Sequence, residues 1–409
     1  MSASLIQTLS LSNLRHPEVR ANPYPFYAQI RSQDPIHWDE ELGFWVLTRY
    51  DDIVAVYHDS RFSRAQGLRS GFERLPQSER VIAEPVYHSF SKTMFYSDPP
   101  YHTRLRGLVN SAFTPTAIEQ MRPYIQRTVD GLLDAVQTNG KMDVIHDFAY
   151  PLPILVISQM LGLPAEQRGQ FKKWSDDLFA ILGSVPHAPE LMERAARSLT
   201  ELSSYVKQLG ATRRAQPKDD LLTALVDAVE DGEQLTQEEL VANVIILLSA
   251  GHETTSNLLG NGLLALLQNP TQMQKLREQP YLIASAVEEM MRYDNPVQIA
   301  YRSAAKDVQL ADKCIRKGQL VNSILAAGNR DPGHYSDPDR FDIARDEGRN
   351  LGFGLGIHFC LGAPLVRLEA QIAFTALLRR FPNIDLATEK LEWQEHPIFR
   401  GVKSLPVSF

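Results

Sequence analysis

Cys360 stands in the run Leu351-Gly-Phe-Gly-Leu-Gly-Ile-His-Phe-Cys-Leu-Gly-Ala363, directly ahead of an amphipathic stretch expected to form a helix to about Arg380. Four glycines in so short a run let the backbone take positive φ and approach another group closely, so something flat or bulky can lie against it. A cysteine at a helix entrance meets unpaired N–H groups and the positive end of the helix dipole, which favour thiolate over thiol. A thiolate so placed is the kind of axial ligand that makes haem iron push electron density toward O–O cleavage. A lone cysteine is ordinarily a small core residue, and the glycine pattern is what turns the balance here. Two other readings are weaker. No Lys-Ser/Thr follows the glycines, as a phosphate loop needs. His358 and Cys360 supply only two of the four ligands of a structural zinc site.

A second chemical stretch, Ala250-Gly-His-Glu-Thr-Thr255, puts a carboxylate, hydroxyls and a glycine inside an apolar helix. A mid-helix glycine costs ~1 kcal/mol relative to alanine, so a purposeful local distortion is expected there. Glu253, Asn257 and Asn261 fall at i, i+4 and i+8 on one helical face. Asn257 and Asn261 read equally well as a proton path and as a packing stripe, while for Glu253 together with Thr254 the functional reading is the stronger. His102 and Arg106 also share a face, and Glu289 and Arg292 form an i, i+3 pair. Taken alone, such a pair is a salt bridge worth about 0.2–0.5 kcal/mol.

The elements that must position these residues are legible in outline. The longest helix should begin at Thr236, where Thr-Gln-Glu-Glu239 offers a capping box, and end near Gln268 before Asn269-Pro270. At ~1.5 Å per residue it would span roughly 50 Å and cross the whole core. Its middle, Val244 to Ala250, is apolar all round and is the longest strongly apolar stretch, well short of the ~18 residues of a membrane span. Strand-like runs occur between Trp38 and Tyr57, including Gly43 to Thr48, and between about Val297 and Leu325. Most of the remainder reads as helix, giving a mainly α chain with smaller β-sheets and one domain over residues 1–409.

Of 409 residues, 44% are hydrophobic and 22% charged, enough for a substantial core. A net charge of −7 provides no basic field for a nucleic-acid backbone, so none is expected as a partner. The two cysteines, Cys314 and Cys360, form no disulfide pattern, and the start from Met1 to Leu14 lacks the basic lead-in of a secretory signal. A cytoplasmic protein without a membrane anchor is the expectation.

The run Phe353-Gly-x-Gly-x-His-x-Cys-x-Gly362 resembles the cysteine-loop signature of bacterial soluble cytochromes P450, and the resemblance extends from about Pro23 to Phe409. It implies the P450 fold, with haem b between the long central helix and the cysteine-loop helix. Cys360 would be the iron ligand, with Phe353, Gly354 and Gly362 shaping the loop. Ala250-Gly251 would leave room for oxygen. Thr254 would hydrogen-bond the oxygen under activation while Glu253 helps relay protons. His102 and Arg106, followed by Phe113-Thr-Pro115, together with Arg302 and His358, would anchor the haem propionates. Glu289, Arg292 and Arg340, the last in Asp337-Pro-Asp-Arg-Phe341, would form a structural triad before the cysteine loop.

By the same resemblance, substrate contacts are expected in a variable loop from about Arg64 to Met94 and in a helix-pair region from about Phe171 to Tyr205. Others are expected at Ile246, Ser249 and Ala250, at Val297, Gln298 and Ile299, and at Phe399. A largely apolar pocket suggests a lipophilic small molecule, with Ser249 and Gln298 as polar anchors. No flavin or iron–sulfur segment is recognised, so electrons for O2 would come from a separate ferredoxin and ferredoxin reductase, with Arg349 and Arg367 as docking candidates. The implied reaction is hydroxylation or epoxidation. The alternatives are a peroxide-driven or oxidative-coupling haem enzyme and a non-enzymatic haem sensor.

Overall fold

A computed structural model describes residues 8–181, 189–230 and 233–409. The central helix, Gln237–Gln268, starts where its capping box predicts. Thr236 N donates to Glu239 Oε2 at 2.9 Å, and Glu239 N donates back to Thr236 Oγ1 at 3.2 Å. At its other end Asn269 closes the helix and Pro270 opens the next. Its faces pack against the helices Pro151–Met160, Arg168–Phe179, Pro189–Ala215, Ile283–Tyr293 and Ala363–Arg380, which is why its apolar residues run all round.

The strand-like runs form one five-stranded sheet in the spatial order Ile36–Asp39, Phe44–Leu47, Leu320–Ile324, Ile299–Ala304 and Phe62–Ser63. Phe44–Leu47 and Leu320–Ile324 pair in parallel and the other neighbours are antiparallel. Every residue of Leu320–Ile324 is buried, as an interior strand requires. A three-stranded sheet joins Asp385–Leu386, Pro406–Ser408 and Lys141–Asp143. One hydrophobic cluster links side chains from Leu11 to Val407.

The expected variable loop is largely helical, in Arg64–Glu73 and Gln77–Ser91. Phe72 stacks on Tyr87 at 4.5 Å, and Asn243 of the central helix accepts from Met94 N at 2.9 Å. The Phe171–Tyr205 region is built from the helices Arg168–Phe179 and Pro189–Ala215, with its part at 182–188 outside the described residues, as are residues 1–7 of the start. No helix among the described residues is long and apolar enough to cross a membrane.

Glu369, on the helix Ala363–Arg380, is wholly buried, and its Oε2 has no hydrogen-bond partner. Burial pushes its carboxyl up to about 8. The folded chain therefore keeps a proton that the unfolded chain gives up, and stability should fall as pH rises from the ordinary glutamate range to about 8. Glu369→Gln should flatten that slope and stabilise the protein at pH 8 by on the order of 2–5 kcal/mol. Thermal melts of parent and variant between pH 5 and pH 8 check this, and parallel pH profiles would exclude it.

Candidate active site

The loop around Cys360 is held by its own backbone. Cys360 N donates to Phe353 O at 2.9 Å, and Gly354 N donates to Leu351 O at 2.9 Å. Gly354 and Gly356 take φ of +68° and +64°, so the turn needs residues without a Cβ. Burial pushes the Cys360 thiol up, while the Gly362 and Ala363 amides and the Arg106 and Arg367 guanidiniums pull the other way. Thiolate stabilisation at the helix entrance is present as expected, and burial outweighs it. Cys314 lies exposed in the strand Lys313–Ile315, far less suited to a buried ligand role.

On one side of this loop lie polar groups that the protein leaves unsatisfied. His102 is 3% exposed and neither ring nitrogen has a hydrogen-bond partner. The ring of His358 packs 4.3 Å from it, and its Nε2 is likewise buried without a partner. Burial, followed by the nearby Arg64, His102, Arg302 and Arg106, holds His358 well below the usual histidine range. Arg302 is buried over the Tyr57 ring at 4.0 Å, and desolvation lowers its guanidinium to about 10. Burial lowers Arg106 too, against the pull of Cys360. Buried donors without partners cost free energy, so cations and ring N–H groups gathered this way fit an anionic, hydrogen-bond-accepting ligand. The structure thus brings His102, Arg106, Arg302 and His358 together around Cys360.

The central helix runs unbroken through Ala250 to Thr255, so the expected distortion at Gly251 is not a break. Three hydroxyls instead bond back onto carbonyls one turn earlier: Thr254 to Ala250 O at 3.1 Å, Thr255 to Gly251 O at 3.2 Å and Ser256 to His252 O at 2.9 Å. Glu253 is buried enough that desolvation raises its carboxyl above the usual range, although His252 and Gln394 oppose this. Gln394 Nε2 donates to Glu253 Oε1 at 2.8 Å and to Asn257 Oδ1 at 3.2 Å. The Asn257 amide lies flush against Gly401, where any Cβ would collide with it. Asn261 does not extend this chain: its Nδ2 donates to the carbonyls of Asp294 and Arg400, so it is a packing residue.

His252 and Gln394 complete the setting of Glu253 and were not legible as functional residues. His252 lies in the Ala250 to Thr255 stretch without a role the residue pattern assigns to it, and Gln394 is remote in sequence. Asp176, His252 and Glu253 offer ligand atoms within 4.8 Å of one another. The Lys172 ammonium lies 3.1 Å from Asp176 and already supplies the cation there.

The triad differs from expectation in one member. Glu289 and Arg292 are buried and paired in two-point fashion at 2.6 and 2.8 Å. The third residue is Arg345, whose Nε lies 3.4 Å from Glu289 and whose side chain is 6% exposed. Arg340 points to solvent and pairs with Asp337 and Asp342, flanking carboxylates that give it local partners. Only its carbonyl joins the cluster, accepting from Arg292 and Arg345.

Of the substrate candidates, Gln298, Ile299 and Phe399 share the wall of a cavity of about 530 Å³ with the 393–400 segment. Val297 bridges to Phe399 but does not line that cavity, nor do Ile246, Ser249 and Ala250. Ser249 Oγ and Gln298 Oε1 are buried without partners. Arg367 is tied to Glu288 at 2.6 Å, and Arg349 lies over the Phe359 ring at 4.1 Å.

Residues 53–397 match the family model described as Cytochrome P450. The chain belongs to the cytochrome P450 family. This P450 is 40% identical to the polyketide biosynthesis cytochrome P450 PksS of Bacillus subtilis over 96% of its own length and 98% of that protein. It is 42% identical to the cytochrome P450 monooxygenase PikC of Streptomyces venezuelae, covering 95% and 91%. Among solved structures, P450BioI in complex with hexadec-9Z-enoic acid ligated acyl carrier protein superposes with a TM-score of 0.89 at 39% identity, over 96% and 99% of the two chains. The P450 is accordingly a haem-b oxidoreductase of the monooxygenase type. The orphaned donors of His102 and His358, with buried Arg302 and half-buried Arg106 beside a glycine-turned cysteine, fit that cofactor.

Proposed function

We propose that the protein inserts one oxygen atom from O2 into a lipophilic small molecule, by hydroxylation or epoxidation, with Cys360 as the thiolate ligand. The observation that carries this reading is the set of unsatisfied buried donors of His102 and His358 gathered beside Cys360. His102, Arg106, Arg302 and His358 would hold the propionates, and Phe353, Gly354 and Gly362 would shape the thiolate loop. Bound haem supplies the redox chemistry that cleaves the O–O bond. The chain's own residues handle the protons. Glu253, whose carboxyl burial raises above the usual range, can take up and release a proton at Oε2, while Gln394 fixes Oε1. The Thr254 hydroxyl, resting on Ala250 O, is both donor and acceptor and can turn from that carbonyl toward a group over Ala250 and Gly251.

Ile299 and Phe399 on the cavity wall, with Gln298 as a polar point beside them, support a lipophilic substrate. So do relatives named for polyketide biosynthesis and for a fatty-acid-ligated carrier protein. Electrons would come from a ferredoxin and its reductase, in the cytoplasm, to a single haem domain. The ties of Arg367 to Glu288 and of Arg349 to Phe359 leave both with a structural task beside any docking role.

Thr254→Ala should retain haem and substrate-induced spectral change but divert reducing equivalents to hydrogen peroxide, lowering product per NAD(P)H about 10-fold or more. Unchanged product per NAD(P)H would remove Thr254 from the mechanism.

A further inference from the structure

We propose that His252 passes protons from Asp176, at the protein surface, to Glu253, so that these three side chains form the inlet for protons to the active site. The inference rests on the reading of Glu253 as the acid.

His252 is fully buried on the central helix, between two carboxylates of unlike exposure. Its Nε2 lies 3.3 Å from Asp176 Oδ1 and 3.8 Å from Glu253 Oε2. The Asp176 side chain is 39% exposed and that of Glu253 13%. The ring is fixed from its other side, with Nδ1 3.1 Å from Ser175 Oγ and 3.3 Å from Leu248 O. The remaining polar neighbours are the Tyr150 hydroxyl, 3.4 Å from Nε2 and also hydrogen-bonded to Asp176, and the Lys172 ammonium, half exposed and 3.1 Å from Asp176. Burial works against the Asp176 carboxylate, but hydrogen bonds from His252, Tyr150 and Lys172 prevail and keep it readily ionised.

Among the described residues, the other side of Glu253 offers no such route. Gln394 and Asn257 are amides, which orient hydrogen bonds but do not take up and release protons near neutral pH. Asn261 is committed to two backbone carbonyls. The His252 ring, by contrast, has a nitrogen that can both take up and give up a proton. In the transfer, Nε2–H of the imidazolium gives its proton to Glu253 Oε2, a gap that a modest side-chain rotation closes. Nε2 is then reprotonated from Asp176, which takes a proton from water. One proton moves inward and no electrons move. Because Asp176 belongs to the helix Arg168–Phe179, the packing of that helix on the central helix sets whether the inlet is joined.

The test is hydrogen–deuterium exchange of the Glu253 carboxyl in the resting ferric holoenzyme. It is read by infrared spectroscopy at a pH where the group is protonated and assigned by the band lost in Glu253→Gln. His252→Phe keeps a ring of similar size, and Asp176→Asn keeps the shape of the carboxylate. Both should slow exchange by about 10²-fold, with product per NAD(P)H falling in parallel. The Glu369 carboxyl, on the helix Ala363–Arg380 and outside this relay, should exchange alike in all forms and serves as the internal control. Parent-like exchange in either variant with normal haem content would overturn the proposal, as would the absence of any Glu253 band. If Glu253→Gln itself leaves product per NAD(P)H unchanged, the reading of Glu253 as the acid fails. If Glu253→Gln uncouples while the other two variants do not, only the role of His252 falls.

Discussion

Glu289→Ala and Arg345→Ala should each yield little haem-loaded protein, whereas Arg340→Ala should express and load haem like the parent. Glu289 is 3% exposed and its two oxygens serve several donors: Arg292 at 2.6 and 2.8 Å, Arg345 at 3.4 Å and the backbone N–H of Asp342 at 2.8 Å. Removing one partner of such a cluster strands buried charge, at a cost of about 3–5 kcal/mol. Losing Glu289 would leave two buried guanidiniums facing each other. Losing Arg345 would free the segment that its guanidinium pins through the carbonyls of Ser336, Asp337 and Arg340, just ahead of the cysteine loop. Arg340 makes only exposed ion pairs, of the kind worth about 0–1 kcal/mol. Haem-to-protein absorbance ratios and thermal melts of the three variants distinguish the cases. A loss with Arg340→Ala equal to that with Arg345→Ala would reverse the assignment.

Cys360→His should leave a protein that still takes up some haem, while its ferrous–CO band loses the red shift of a thiolate-ligated haem and monooxygenation falls by orders of magnitude. A neutral imidazole lacks the electron push of a thiolate. The residues proposed to hold the propionates, His102, Arg106, Arg302 and His358, are untouched by the change, which is why uptake and catalysis should separate. Steady-state product formation with redox partners, set beside the CO difference spectrum, makes the measurement. Retention of both signatures would mean that Cys360 is not the ligand.

What the sequence discloses here depends on how locally each feature is determined. The central helix was readable to within one residue because its capping box and the Asn-Pro stop are contiguous signals. Gly354 and Cys360 announce a tight turn because a run of glycines has few other uses. Arg345 was missed for the opposite reason. Two arginines follow Asp337 within a few residues, and only the packed chain shows that flanking aspartates hold the first at the surface while the second turns inward. The helices at Arg64–Glu73 and Gln77–Ser91 were hidden by internal glycines and a mid-helix Pro85, which weaken helix propensity that tertiary contacts such as Phe72 on Tyr87 restore. Asp176 and Gln394 lie far from Glu253 in sequence, and no periodicity links them.

Gly401 carries no chemistry, yet it decides how far back the Asn257 amide can sit. Asn257 shares Gln394 with Glu253, so the bareness of one backbone position is transmitted through two amides to the orientation of a carboxylate. A single methyl group at 401 would therefore act as a remote trimmer, reorienting the Glu253 carboxyl through the two amides rather than by direct contact.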